Sequence, residues 1–285
     1  MGTTRKSFLT LTGGFACVAA AAPALGDDTI RVGMIPDAGA TQISIDEKAP
    51  LREFLARQLH RPVDLIIPTN YNATVEALGN GSLDFAYLGG LTYLQARARY
   101  GVIPLVQRES DRAFHSLFIT QTDSPIRALA DLRGKNFAFG DINSTSGHLM
   151  PYAALQAAGI DPDADLHYRY TGSHPATAKS VEAGAANAGA MDESIYASMI
   201  ASGQLDKSKV RVFYRTPAFV DYVWVARKDV SAAQRAYFAW AFLALQSPRN
   251  QAILDILRGT KFVRADDAEY EPLRAVATKL KMLPA

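Results

Sequence analysis

Apolar positions along the chain fall into two alternating periods. Ile30-Arg31-Val32-Gly33-Met34-Ile35 predicts a strand closed by Pro36. Leu51, Phe54, Leu55 and Leu59 then fall on one face of a helix over 51–59. Val63–Ile67 predicts a strand, Thr74–Leu78 a short helix stopped by Gly79 and Gly81, and Phe85–Leu88 a strand. Leu91–Arg99 predicts a helix with Gly101 as its C-cap, followed by strands at Val102–Val106 and His115–Thr120. The rhythm then restarts. Short helices or helical runs are predicted at Ala128–Leu132, 146–158, Ala176–Ala186 and Ser194–Ser202. Between and after them come strands at Asn136–Phe139, Leu166–Tyr170, Ala188–Met191, Val210–Tyr214 and Val223–Ala226. Helices rich in Ala, Phe and Leu are expected from Ala232 onward.

Strands alternating with helices predict an α/β class with largely parallel sheets. A length of 285 residues exceeds the usual size of one domain and suggests two lobes. No Gly/Ser linker interrupts the pattern, so the lobes are expected to be joined by short extended crossings near Gln121–Pro125 and Pro217–Tyr222. That assigns 27–121 and 222–285 to a discontinuous first lobe and 122–221 to a second.

The first 26 residues break the rhythm. Arg5 and Lys6 precede an uncharged run from Ser7 to Gly26, the arrangement of a secretory leader, with cleavage expected before Asp27. A membrane anchor is the other reading, but Gly13, Gly14 and Pro23 make the run weakly hydrophobic. Thr4-Arg5-Lys6-Ser7-Phe8-Leu9 resembles a twin-arginine signal with Lys in the second basic place, which leaves Sec export equally open. The chain's single cysteine, Cys17, lies in this segment, excluding an intrachain disulfide and any cysteine-rich metal site. Arg5 and Lys6 also account for the whole formal charge of +2, so the remaining 259 residues are neutral. A neutral chain argues against nucleic-acid binding.

Candidate chemistry lies in the loops. Gly140-Asp141-Ile142-Asn143-Ser144-Thr145-Ser146-Gly147 follows a strand and opens a helix. Ser144, Thr145 and Ser146 offer three hydroxyls where first-turn N–H groups lack intrahelical partners and the helix dipole is positive. Such an arrangement suits a tetrahedral oxyanion; it is also that of an ordinary Ser or Asn N-cap. His174 lies between a strand and a helix, where it can donate to an anion or serve as a surface or capping residue. Asp192 ends a strand, and Asp221 lies just before the last strand. Either carboxylate can accept from a P–OH group, pair with an ammonium group, or sit solvated in a loop. Tyr71 and Tyr93 offer an apolar wall with one hydroxyl, or core packing. The histidines have no metal-ligand spacing, and neither metal nor cofactor is expected. No hydrolase elbow, nucleotide loop or zincin helix is present.

In this order the residues resemble the periplasmic phosphonate/phosphite-binding proteins of ABC transporters. The resemblance runs through Ile30–Asp37, Pro68-Thr69-Asn70-Tyr71, Ala86–Tyr93, Phe114-His115-Ser116, Leu129–Lys135, Ser144-Thr145-Ser146-Gly147, Gly172-Ser173-His174 and Ala188–Asp192. It implies a type II periplasmic-binding-protein fold, two α/β lobes with a hinge and a ligand cleft between them. By the same resemblance Ser144, Thr145 and Ser146 hold phosphonyl oxygens and His174 adds a donor. Tyr71 and Tyr93 line the pocket, Asp221 accepts from the ligand's hydroxyl or meets its substituent, and Asp192 lies nearby. Tyr87 and Gly90 stand where family members often carry Trp and Pro. The implied function is capture of a small phosphorus oxyanion for an ABC permease. The implied protein is periplasmic and monomeric, not membrane-embedded after export, with no nucleic-acid partner, no catalysis and no cofactor. The alternatives are an oxyanion sensor for a histidine kinase, and a phosphoester or phosphonate hydrolase on the same lobes.

Overall fold

The computed structural model describes residues 1–2, 29–39 and 45–283. The expected leader, its cleavage point and Cys17 lie outside the described residues. From Ile30 onward the chain builds two mixed sheets.

The first sheet has strand order β11-β4-β10-β3-β1-β2. Its members are β1 (Ile30–Met34), β2 (Val63–Ile66), β3 (Phe85–Leu88), β4 (Ile103–Arg108), β10 (Val223–Ala226) and β11 (Phe262–Arg264). β1 runs parallel to β2 and β3, whereas β10 runs antiparallel to both β3 and β4. Helices α1 (Ala49–Leu59), α2 (Tyr71–Gly79) and α3 (Gly90–Tyr100) connect the early strands. Gly101 ends α3 as expected, with a left-handed φ of 68° and its N–H on the Arg97 carbonyl. The C-terminal α8 (Ala232–Leu243), α9 (Gln251–Ile256) and α10 (Glu271–Lys279) complete this lobe. β11 breaks the all-helical ending expected from Ala232. It is only three residues long and adds antiparallel to β4 at the sheet edge, too short for its alternation to register in the sequence.

The second sheet, order β7-β6-β8-β5-β9, repeats the same plan. It contains β5 (Ser116–Gln121), β6 (Asn136–Phe139), β7 (His167–Tyr170), β8 (Ala188–Asp192) and β9 (Val210–Arg215). α4 (Met150–Ala157), α5 (Pro162–Asp165), α6 (His174–Glu182) and α7 (Glu193–Ala201) surround it. Its two faces separate cleanly by the period of two. Leu117, Ile119, Ala138 and Met191 enter one core with α6 and α7, while Phe118, Phe137, Phe139 and Ala190 enter another.

β5 pairs with β8 and β9 in the second sheet, although Ser116–Gln121 was expected in the first lobe. The crossing therefore lies at 109–115, before the strand and not after it. The misplacement has a simple source: β5 precedes the turn signals that mark the second lobe, so chain order alone assigns it to the first. The chain returns between β9 and β10 over 216–222. The two crossings pair through Phe114 and Phe219, whose N–H groups donate to each other's carbonyls at 2.8 and 2.9 Å. A buried Arg108–Asp111 ion pair at 2.5 Å sits beneath them, with the guanidinium over the rings of Phe114 and Tyr222. Two short paired crossings make a hinge with few torsions to move.

Candidate ligand-binding site

The loops that follow the strands of both sheets face each other across the crossings. The first lobe contributes Asp37 after β1, Tyr71 at the start of α2, and Gly89-Gly90 after β3. The second contributes the turn at 144–149, His174 at the start of α6, and Asp192 at the end of β8. Asp221 lies in the return crossing.

The turn after β6 is not a plain α-helical start. Leu149 N–H bonds to the Ser144 carbonyl and Met150 N–H to the Thr145 carbonyl, so the first turn is π-helical. Pro151 then falls within the first turn of α4, where no N–H is needed. The Ser144 hydroxyl caps the turn by accepting the Gly147 N–H at 3.0 Å. Only glycine fits at 147: a Cβ there would lie 2.9 Å from Ser144 Oγ and 3.0 Å from His174 Cε1. Thr145 reaches the other lobe, accepting the Leu91 N–H at 3.0 Å. Ser146 is 1% exposed, and its hydroxyl has no partner. Ser144 and Thr145 are thus largely engaged in building the site, and Ser146 is the free hydroxyl among the three.

His174 is fully buried, and its Nδ1 accepts the Asp192 N–H at 3.2 Å. Burial, with the Arg258 charge in support, holds the ring below the ordinary histidine pKa despite Asp192 and Asp37. A neutral ring with Nδ1 accepting carries its proton on Nε2, which is buried and has no partner. The ring therefore presents an N–H donor without bringing a charge.

Tyr71 begins α2 behind an Asn70 cap that accepts the Ala73 N–H at 2.8 Å. Its hydroxyl is buried and unpartnered, and burial raises its pKa well above the ordinary value. Asp221 accepts the Gly90 N–H on Oδ1 at 2.9 Å, while Oδ2 is buried with no partner. Burial pushes this carboxyl up to about 8, against the lowering effect of Gly90 and the Thr145 hydroxyl. Proline at position 90 would remove the N–H that Asp221 uses. Tyr222 sits among these groups: Asp192, Asp37, Tyr71 and Asp221 all act on its phenol.

Two of the expected residues are turned to other work. The Tyr93 ring is buried edge-on against Tyr270, 4.7 Å between centroids, and its hydroxyl donates to Asp267. It is not brought together with the others. Asp192 is fully buried at the cleft, but its oxygens are occupied. Oδ1 caps α7 through Ile195 N–H at 2.8 Å and takes the Ser194 hydroxyl at 2.7 Å; Oδ2 takes the Tyr222 hydroxyl at 2.7 Å. Burial opposes its charge, but the charges of Arg258 and Arg108 and the Ser194 hydroxyl hold its pKa below the ordinary carboxylate range.

Sequence reasoning missed Asp37, Tyr222 and Arg258. Arg258 pairs with Asp37 at 2.5 Å, and the Asp37 carbonyl accepts the His174 N–H at 3.2 Å across the lobes. Asp37 was visible as the residue after a strand-ending proline. Nothing in the surrounding sequence marks Arg258. Among the described residues no group of His, Cys, Asp and Glu is arranged to hold a metal ion. No helix of the described residues is long and apolar enough to cross a membrane.

Two lobes of one plan, a paired hinge and buried polar groups facing each other across it define a solute-binding protein of the type II periplasmic class. The match to known proteins is specific within that class. The chain belongs to the family described as ABC transporter, phosphonate, periplasmic substrate-binding protein, whose model matches residues 32–270. The probable ABC transporter phosphite binding protein PhnD1 of Prochlorococcus marinus (strain MIT 9301) is 30% identical over 273 residues, 89% of this chain and 90% of its own length. The structure of PhnD1 in complex with methylphosphonate aligns with a TM-score of 0.83 at 29% identity, covering 90% of this chain and 100% of that one. The phosphonates-binding periplasmic protein of Escherichia coli (strain K12) is 24% identical over 241 residues, 80% of this chain and 70% of its length. The family is one of transporter substrate-binding proteins, so the chain is a binding protein and not an enzyme.

Proposed function

We propose that this chain captures a small phosphorus oxyanion, phosphite or a short phosphonate, outside the cytoplasm and presents it to an ABC permease. One observation carries the reading: the buried polar atoms of the site that lack partners include three donors and one acidic group. Ser146 Oγ, Tyr71 Oη and His174 Nε2 can donate, and Asp221 Oδ2 can share a proton. Neutral donors and a helix start suit an anion better than a cation or sugar. The names of the relatives, a phosphite-binding and a phosphonates-binding protein, support the same ligand class.

The raised carboxyl of Asp221 changes the expected logic of selection. A fully ionised carboxylate accepts only from P–OH. A carboxyl near pKa 8 holds a proton at neutral pH and can itself donate to an ionised oxygen. In both cases the contact contains one proton, supplied by ligand or protein. The mature chain acts as an exported monomer in this reading, with ligand bridging the lobes and closing them about the crossings.

Calorimetry with methylphosphonate, phosphite, 2-aminoethylphosphonate, phosphate and sulfate tests the proposal. At least one phosphorus ligand should bind at micromolar or tighter affinity, and Ser146→Ala should lose about 1–3 kcal/mol of it. Absence of heat with every phosphorus ligand overturns the reading. Unchanged affinity in Ser146→Ala removes that hydroxyl from the site.

A further inference from the structure

Arg258 stands where the two lobes meet, outside the set of groups assigned to the ligand. Its Nη2 reaches Asp37 Oδ2 of the same lobe at 2.5 Å, and its Nε donates to Ser194 Oγ of the other lobe at 3.3 Å. Ser194 passes the contact on, donating to Asp192 Oδ1 at 2.7 Å. Asp37 closes the other side, its carbonyl accepting the His174 N–H at 3.2 Å. Asp37, Arg258, Ser194 and His174 therefore form one continuous wall made from both lobes.

The far side of that wall is open. A cleft of about 420 Å³ lies there, lined by Arg258 itself and by Ala38, Pro175 and Ile195, the chain neighbours of the other three wall residues. The Arg258 side chain is 18% exposed while Asp37 is 3% exposed, which puts the guanidinium at the boundary between cleft and buried site. Its backbone is held in a left-handed conformation, φ 52°, that residues other than glycine seldom adopt. Arg108 fixes it there, donating from Nη1 to the Leu257 and Arg258 carbonyls at 3.3 and 3.2 Å. Arg108 is also the buried cation beneath the hinge crossings.

We propose that Arg258 is an interlobe latch: preset by Arg108 at the hinge and paired with Asp37, it docks on Ser194 and sets how fast bound ligand escapes through the adjacent cleft. Closure brings the guanidinium to Ser194, and opening has to break that contact and the Asp37–His174 bond together. The latch favours the closed arrangement with or without ligand, and with ligand inside it acts on residence time because escape requires opening. The ligand part of this inference rests on the proposed function; the closure part does not.

Two measurements test it on the full mature chain. Stopped-flow displacement of methylphosphonate should show dissociation about tenfold faster in Ser194→Ala and in Arg258→Lys, with association within about threefold of the parent. The double variant should be little worse than either single one, since both break the same contact. In parallel, dyes at Glu53→Cys and Lys207→Cys, the only cysteines of a mature chain that begins at Asp27, report lobe separation without ligand. Ser194→Ala should lower the closed fraction there. Unchanged dissociation in both single variants overturns the latch, as does additivity in the double variant. An unchanged distance distribution in Ser194→Ala overturns it even if the parent binds no phosphorus ligand, an outcome that by itself defeats only the proposed function. Ser194→Ala leaves the Asp37–Arg258 pair in place, so a folding defect in Arg258→Lys does not decide the matter.

Discussion

Asp192 and Asp221 are both buried at the candidate site, at most 1% exposed, and burial has opposite consequences for them. At the β8–α7 corner, Asp192 is met by a helix N-terminus, two hydroxyls and nearby Arg258, so the charged form is retained. In the return crossing, burial of Asp221 and two other nearby buried carboxylates outweigh the Gly90 N–H and the Thr145 hydroxyl, so the charged form is penalised. A buried carboxylate whose lone pairs are occupied is an anchor for the structure around it. One that keeps an oxygen unmatched has something to offer a ligand. The comparison separates architecture from binding at two residues that look alike in the sequence.

The largest effect is expected on the architectural side. Asp192→Ala removes the α7 cap, strands the buried Tyr222 hydroxyl and leaves cationic Arg258 with less to face. Removing one member of a buried charged network costs about 3–5 kcal/mol, and urea unfolding should show a loss of that size with or without ligand. A loss below about 1 kcal/mol, the range of an exposed ion pair, would erase the contrast with Asp221.

The next effect has the opposite sign. The Asp221 carboxyl is near 8 in the folded chain and 3.8 in the unfolded one, so the folded state holds the proton more tightly. Its contribution to stability is complete below pH 3.8, declines as pH rises through the window to about 8, and is level above that. Asp221→Asn carries no such titration. The ligand-free variant should be more stable than the parent near pH 8, by on the order of a few kcal/mol, and so unfold at higher temperature, and the two should converge toward pH 4. Ligand affinity should fall for the parent between pH 7 and 9, as the shared proton is lost, and stay flatter in the variant. Parallel melting curves across that range would mean that Asp221 is already ionised and has no special standing.

This contrast also marks how far sequence reading reaches. The apolar, β-branched and aromatic run within His115–Thr120 revealed a strand because that composition is local. Its membership of the second sheet was not local, since β5 pairs with β8 and β9, which come far later in the chain. The Ser144–Ser146 turn was legible because three hydroxyls between a strand and a helix carry a chemical meaning wherever they occur. Which hydroxyl remains free was not, because capping by Ser144 of the Gly147 N–H was one of two local readings, and Thr145 is engaged by Leu91 on the opposite lobe. The same limit explains Arg258. Its partners lie at Asp37 and Ser194, far off in the chain, and no spacing rule connects them.

The smallest expected effect divides two tyrosines as the first divided two aspartates. Tyr93 was expected in the pocket, yet its hydroxyl donates to Asp267, whose side chain is 36% exposed, and its ring packs on Tyr270. Tyr93→Phe keeps the ring contact and loses one hydrogen bond, so stability should fall by about 0.5–1.5 kcal/mol. Its affinity for a phosphorus ligand should stay within about twofold of the parent. Tyr71→Phe deletes a buried hydroxyl with no partner, which should leave ligand-free stability level or slightly improved. Its affinity should drop by at least about tenfold, the equivalent of roughly 1.4 kcal/mol. Denaturation and calorimetry on the two variants therefore form a crossed pair, each losing what the other keeps. A tenfold loss of affinity in Tyr93→Phe would return Tyr93 to the pocket. It would also show that an occupied hydroxyl can still report on the ligand, which is the distinction that Asp192 and Asp221 otherwise draw.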